Sequence, residues 1–215
     1  MNYFDQIQLG QTENILALLG DERRGLTDLE KKVLFKQNVE IVNLETSYVC
    51  NRKCDYCSVA GSDRHIAVNS SKQLDRDIID DQLPNSITDQ IARQLSDIRY
   101  ENRLSLNLYN EPLLDPHLEK QIETLRGACP YSHIAFNSNG DFVNAERLQA
   151  LSAAGLDAIC ITLHPRPHKK VTESEIERRL IAIFKRLDIP LTPPTPNLCA
   201  KRMKLICKLG FKVYQ

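Results

Sequence analysis

The sequence has no net charge and no long hydrophobic run. Its 28 lysines and arginines balance 28 aspartates and glutamates, so no global field draws the protein to nucleic acid or to an anionic membrane. A small-molecule or peptide substrate is expected instead. No apolar stretch approaches the ~20 residues of a membrane span, and the chain opens on no apolar signal segment. Internal repeats and low-complexity tracts are missing, and the proline-rich patch from Pro190 to Pro196 is too short to link large domains. A disulfide framework is disfavoured by the odd count of 7 cysteines, which points to a reducing compartment, the cytoplasm. What remains is a chain of 215 residues with ordinary apolar content, enough for one substantial core and for an N-terminal extension.

Apolar spacing before Gln37 (Ile15, Leu16, Leu18, Leu19, then Leu26, Leu29, Val33, Leu34) predicts two short helices flanking the stretch from Gly20 to Gly25, read as a packing extension over residues 1–38. Val39, Ile41, Val42 and Leu44 predict the first buried strand. A helix then opens at Pro84-Asn85-Ser86, with Ile87, Ile91, Leu95 and Ile98 on one face. Leu104, Leu106 and Leu108 alternate with polar residues as a second strand, followed by a helix from His117 to Arg126. His133 to Asn137 is a third strand, Ala145 to Ala153 a helix closed by Gly155, and Ala158 to Leu163 a fourth strand. Thr172 and Glu175 form a capping box for a helix with Ile176, Leu180, Ile183 and Leu187 along one stripe. Ile189 to Leu191 reads as a short strand, Asn197 as the cap of a helix ending at Gly210, and Phe211 to Tyr214 as a last strand. Strands alternating with helices at these lengths predict an α/β chain of parallel βαβ units with right-handed crossovers, about six in all, over residues 39–215.

The segment Cys50-Asn51-Arg52-Lys53-Cys54-Asp55-Tyr56-Cys57 places three thiols in one loop at the C-terminal end of the first strand. In parallel α/β barrels that end is where reactive groups gather. Three soft thiolates at this spacing can wrap a 4Fe-4S cubane and leave one iron free of protein sulfur. The alternative is a structural zinc loop, but tetrahedral zinc needs a fourth ligand. Cys129, Cys160, Cys199 and Cys207 stand alone, and the His164-x3-His168 pair lies far downstream.

The C-x3-C-x2-C spacing, with Tyr56 before the last cysteine, resembles the cluster loop of the radical S-adenosylmethionine (SAM) enzymes. Three further segments follow in that family's order. Tyr109-Asn110-Glu111-Pro112 resembles its Gly-Gly-Glu-Pro motif with both glycines replaced, Ser138-Asn139-Gly140 resembles its Thr-Asn-Gly turn, and Gly155-Leu156-Asp157 precedes the fourth strand. The resemblance covers about residues 39–163. It implies a partial (βα)6 radical SAM barrel preceded by the short helical extension. It also implies a 4Fe-4S cluster on Cys50, Cys54 and Cys57, whose open iron chelates the amino and carboxylate groups of SAM. Asn110, Glu111 and Pro112 would then meet the SAM amino group, with Glu111 supplying opposite charge to an ammonium. Ser138 would border the SAM site, Thr162 its ribose, and Tyr56 the adenine and cluster.

The reaction so implied is reductive cleavage of SAM to a 5'-deoxyadenosyl radical, which abstracts hydrogen from a small metabolite, sugar or peptide in a biosynthetic pathway. Flavodoxin or ferredoxin would supply the electron. Residues acting after hydrogen abstraction are not assigned. His164 and His168, beyond strand four, are read either as a proton donor or anchor or as part of a solvated basic loop with Arg166, Lys169 and Lys170. Two other functions stay open: a glycyl radical enzyme activase, and a non-catalytic binding module whose loop is stapled by zinc or an inert cluster.

Overall fold

The computed structural model describes residues 26–47, 49–54, 57, 82–162, 172–188, 204–209 and 212–214, with Glu173, Ile176 and the last two ranges described by backbone alone. The chain divides into two compact units, Met1–Val39 and Glu40–Gln215. The described part of the first is one helix, α1 (Asp28–Asn38). The Thr27 N–H donates to Glu30 Oε2 at 2.7 Å and the Glu30 N–H donates to Thr27 Oγ1 at 3.3 Å. This reciprocal cap satisfies two donors that a helix start otherwise leaves open. The helix expected before Gly20 lies outside the described residues.

In the second unit the elements run β1 (Ile41–Asn43), α2 (Asn85–Asp97), β2 (Arg103–Ser105), a 3-10 turn (Pro112–Leu114), α3 (Leu118–Ala128), β3 (His133–Ser138), α4 (Ala145–Ala154), β4 (Ala158–Thr162), α5 (Glu173–Arg186), β5 (Lys204–Leu209) and β6 (Lys212–Tyr214). The strands form one six-stranded sheet in sequence order. Pairs β1–β2 to β4–β5 are parallel, and β6 is antiparallel to β5. The α/β partial-barrel class expected from the sequence is the fold observed. Helix α3 packs on α2 and on α4. Its Leu118, Ile122 and Leu125 are fully buried at spacings of one helical face. Each such burial stabilises the core by about 1.5–3 kcal/mol. Across from them Leu104, Ile134, Phe136, Ile159 and Ile161 are wholly buried in the sheet.

The structure corrects several details. The region expected as a helix ending at Gly210 is instead strand β5, because the open edge of β4 offers a full row of backbone partners from Ala158 to Thr162. The last strand is present but runs antiparallel, so it does not close a sixth parallel unit. On α2 the buried stripe is Thr88, Ala92 and Leu95, and Ile87 is exposed. Leu95 of the expected stripe is buried and Ile91 and Ile98 are part-buried, while Thr88 and Ala92 take the fully buried places beside Ile87 and Ile91. In β2 the alternation stops early. Leu104 and Leu106 are buried, but Leu108 is 53% exposed, since its N–H is taken by Asn110 Oδ1 at 3.1 Å and the chain turns out of the sheet. Strand β1 lies at the sheet edge with Ile41 exposed. The strand expected at Ile189 to Leu191 lies outside the described residues.

Gly155-Leu156-Asp157 belongs to the packing rather than to the site. Gly155 ends α4 at φ 104°, a left-handed conformation that glycine alone adopts cheaply. Arg126 donates from Nε and Nη2 to the Gly155 carbonyl at 3.0 and 2.9 Å and pairs with Asp157. The same Asp157 Oδ2 also accepts the Ile134 N–H at 2.8 Å. The clamp ties α3 to the start of β3 and β4. Among the described residues no helix is long and apolar enough to cross a membrane.

Candidate active site

A cleft of about 300 Å³ opens where the C-terminal ends of β2, β3 and β4 meet the loop that follows β1. Cys50, Cys54 and Cys57 line it from the loop, Asn107 to Glu111 from the end of β2, Asn137 to Asn139 from β3, and Thr162 from β4. The placement follows from topology: strands that all run the same way bring their following loops to one edge. Within the loop, the Cys57 N–H donates to the Cys54 carbonyl at 2.9 Å, a tight turn that keeps two thiols close. The Glu111 N–H donates to the Val49 carbonyl at 2.9 Å and joins the loop to the end of β2.

Glu111 is the centre of the polar wall. Its side chain is 2% exposed. Oε1 accepts from the Ser138 hydroxyl at 2.7 Å and from the Leu113 N–H at 3.2 Å. Oε2 accepts from the Asn139 N–H at 2.7 Å. Pro112 begins the 3-10 turn that this carboxylate caps. It is buried and sets the backbone of the turn rather than lining the cleft. Asn110 lines the cleft, but its side chain is spent on support. Besides accepting from Leu108, it donates from Nδ2 to Thr46 Oγ1 at 3.3 Å and Ser47 Oγ at 3.5 Å. Where the resembling motif has glycine, this chain uses the asparagine amide to hold the β2 end in shape.

Sequence reasoning missed a second layer. Asn51 Nδ2 donates to Asp141 Oδ2 at 2.8 Å, and Asn139 Nδ2 donates to Asn51 Oδ1 at 2.7 Å. Arg52 Nε donates to Asp141 Oδ2 at 2.7 Å, and its Nη2 pairs with Oδ1 of the same carboxylate, a bidentate contact. Arg186 of α5 donates to the carbonyls of Gly140 and Asp141. The signal was present in the cysteine loop, whose intervening Asn51-Arg52 are as polar as its thiols are soft. What hid it was the sequence distance of about 90 residues to Asp141. Asn107 was also missed: its Oδ1 accepts from the Asn137 N–H at 2.8 Å and joins the ends of β2 and β3.

The electrostatics show what the cleft demands of an occupant. Burial pushes the Cys50 thiol up to about 11, and the charges of Glu111, Cys54 and Cys57 add to the effect. Burial likewise lifts Glu111 to about 7, against the three hydrogen bonds that favour its ionised form. Burial also works against ionising Asp141, but the Arg52 hydrogen bond and charge hold it below its ordinary value. The Cys50 thiol and the Glu111 carboxyl, both held back from ionising by burial, are drawn into their ionised forms when positive charge sits beside them. Among the described residues no group of three or more His, Cys, Asp or Glu converges closely enough to hold a single metal ion. Cys50, Cys54 and Cys57 border one cleft, and three soft thiolates are a donor set that suits an iron-sulfur cluster. The buried carboxylate of Glu111 beside them suits a cationic amino group.

Thr162, half-buried at the end of β4, borders the same cleft, as do Ser138 and the thiols. Tyr56, His164 and His168 lie outside the described residues, as do Arg166, Lys169 and Lys170. Cys160 is 8% exposed in the core. Among the described residues, Cys50, Cys54, Cys57, Cys129 and Cys160 form no disulfide.

An α/β sheet whose strand ends carry three thiols and a buried carboxylate around one cleft defines a cofactor-binding enzyme site. Comparison with known proteins places it further. The model of the Radical SAM superfamily matches residues 44–179, most of the chain, and the protein belongs to that superfamily of enzymes. A curated relative, the S-adenosyl-L-methionine-dependent 2-deoxy-scyllo-inosamine dehydrogenase of Niallia circulans, is 29% identical over 124 residues. The match takes in 58% of this chain and 44% of the relative, so the chain spans less than half of that protein's length. Among solved structures, BtrN in complex with AdoMet and 2-DOIA is 24% identical, with a TM-score of 0.48 over 64% of this chain and 54% of that one. BtrN in an open conformation gives 24% and 0.47 over 58% and 50%.

Proposed function

We propose that the protein reductively cleaves SAM and uses the product to abstract hydrogen from a small hydroxylated metabolite in a biosynthetic pathway. The observation that carries this reading is the meeting of Cys50, Cys54 and Cys57 with the buried Glu111 in one cleft. The three cysteines would hold a 4Fe-4S cluster as thiolates. When bound and reduced, the cluster supplies the electron that splits SAM into methionine and a 5'-deoxyadenosyl radical. Glu111 would accept the SAM ammonium, held in place by Ser138 and the Asn139 N–H, while Asn110 and Pro112 shape the strand end around it. Thr162, which lines the cleft, would border the ribose, and the resemblance gives Tyr56, outside the described residues, a role at the cluster and adenine.

Dehydrogenation is the reaction class supported by the curated relative, whose name gives an inosamine, a hydroxylated amine, as substrate. The two amides at the strand ends, Asn107 and Asn137, line the same cleft and suit hydroxyl groups as donors or acceptors. An external low-potential carrier, flavodoxin or ferredoxin, would dock over the loop beside the exposed Lys53. The odd count of 7 cysteines fits a reducing cytoplasm. Residues 39–215 form the catalytic core in this reading, and residues 1–38 an extension to it.

The test is anaerobic purification followed by iron and sulfide analysis. We expect brown protein with about four irons per chain, and 5'-deoxyadenosine with methionine after reduction in the presence of SAM. Colourless protein with stoichiometric zinc, or iron-loaded protein that leaves SAM intact, would end the proposal.

A further inference from the structure

Asn51 uses both ends of its amide to connect segments that the chain keeps far apart. Its Oδ1 accepts from Asn139 Nδ2 at 2.7 Å, and its Nδ2 donates to Asp141 Oδ2 at 2.8 Å. Asn139 in turn donates its backbone N–H to Glu111 Oε2 at 2.7 Å and accepts the Asp141 N–H on Oδ1 at 2.9 Å. An unbroken set of bonds therefore runs from the residue next to Cys50, through the turn after β3, to the buried carboxylate. Arg52 braces the same carboxylate of Asp141 from the loop side, and Arg186 braces the turn from α5. The turn has little freedom of its own: Gly140 sits at φ 73°, and a Cβ there would meet Ile161 Cγ2 at 2.6 Å.

We propose that Asn51 is a positioning residue that locks the cysteine loop to Glu111 through Asn139, so that the two halves of the site hold their spacing as one unit. The inference rests on the functional reading above and adds a coupling that this reading does not require. The thiols and the carboxylate approach the cleft from different segments, joined at the backbone by the Glu111 to Val49 hydrogen bond. Arg52 adds a contact to Asp141, but the Asn51 amide reaches Asn139 itself, whose N–H holds Glu111. A link to the residue that holds the carboxylate matters where a ligand has to reach both sides at once.

A double-mutant cycle tests it, using the iron-loaded protein and SAM affinity by equilibrium dialysis. Asn51→Ala and Asn139→Ala should each weaken SAM binding about tenfold, the effect of losing one or two part-buried hydrogen bonds. Because they break the same connection, the double variant should bind within about threefold of the weaker single one. Losses that multiply to about a hundredfold, or an Asn51→Ala protein that binds SAM as the parent does, would overturn the inference. A second measurement works where a variant loads poorly. In iron-free protein, amide hydrogen exchange at Cys57 should speed up several-fold in Asn139→Ala. Asn139 bonds to neither Cys54 nor Cys57 in the structure, and an unchanged rate overturns the coupling. Failure of the parent protein to bind iron at all would instead refute the functional reading.

Discussion

Replacing Glu111 by glutamine isolates charge from shape in the proposed SAM site. All three partners of the carboxylate are donors: the Ser138 hydroxyl, the Leu113 N–H and the Asn139 N–H. A glutamine must point its NH2 at one of them, so at least one buried donor loses its acceptor at a cost of about 1–3 kcal/mol. Against this stands the relief of no longer burying a charge. The carboxyl is held at about 7 by burial, against 4.5 in an open chain. The folded state thus binds its proton more tightly than the unfolded one, and stability falls as pH rises through that window. At 1.36 kcal/mol per unit, roughly 3 kcal/mol is lost between pH 4.5 and 7 in the unliganded parent. Glu111→Gln should be less stable than the parent near pH 4.5, should lack this fall, and should equal or exceed the parent above pH 7. For SAM the order reverses. A charge-assisted hydrogen bond to an ammonium is worth about 1.5–3 kcal/mol, so the variant should bind SAM about 10- to 150-fold more weakly at pH 8. Parent affinity should drop as pH falls below 7, because the proton must leave, while that of the variant stays flat. Urea titrations of the iron-free chain and equilibrium dialysis of the loaded one supply the two readouts. Equal SAM affinity in parent and variant at pH 8, or the same pH dependence in both, would refute the role of this carboxylate.

Cys54→Ala should remove most of the bound iron and abolish SAM cleavage while the unfolding midpoint moves little, since the residue sits on a partly exposed loop; a full complement of iron in this variant would refute the ligand assignment. Gly155→Ala should destabilise by about 3 kcal/mol, combining left-handed strain with overpacking. Its Cβ would meet Arg126 Cγ at 2.7 Å, the near end of a side chain fixed by its clamp. A shift of the urea midpoint at constant slope would register it, and a loss under about 1 kcal/mol would contradict the clamp. Gly140→Ala forces the turn away from the buried Ile161, so it should cost about 2 kcal/mol and weaken SAM binding as well, measured side by side on the same protein. Weakened stability with unchanged SAM affinity would show that this turn does not set the position of Glu111.

The legible part of the site was the part made of chemically rare residues at short range. Three cysteines within eight positions and a Glu-Pro pair at a strand end announce soft ligands and an anionic contact from the sequence alone. Capping residues such as Thr172 and the closing Gly155 likewise fixed helix ends locally, because a cap is an interaction between residues three or four apart. The helix period of α2 was legible too, and Leu95 of the expected face is buried, but Thr88 and Ala92 take the buried places there rather than Ile87 and Ile91. Thr88, Ala92 and Leu95 face inward because of where α3 lies, which no local pattern encodes.

The sequence by itself determined the parallel α/β class, the thiol loop and its place after the first strand, since strand and helix periods and the spacing of reactive side chains are local properties. Only the tertiary structure decided that the stretch before Gly210 is a strand on the edge of β4, that Asn110 turns inward as a support, and that Asn51 and Arg52 meet Asp141. Each of these depends on which backbone edge or side chain arrives from some 60 to 90 residues away. Such arrivals are settled by burying the sheet and satisfying its hydrogen bonds as a whole.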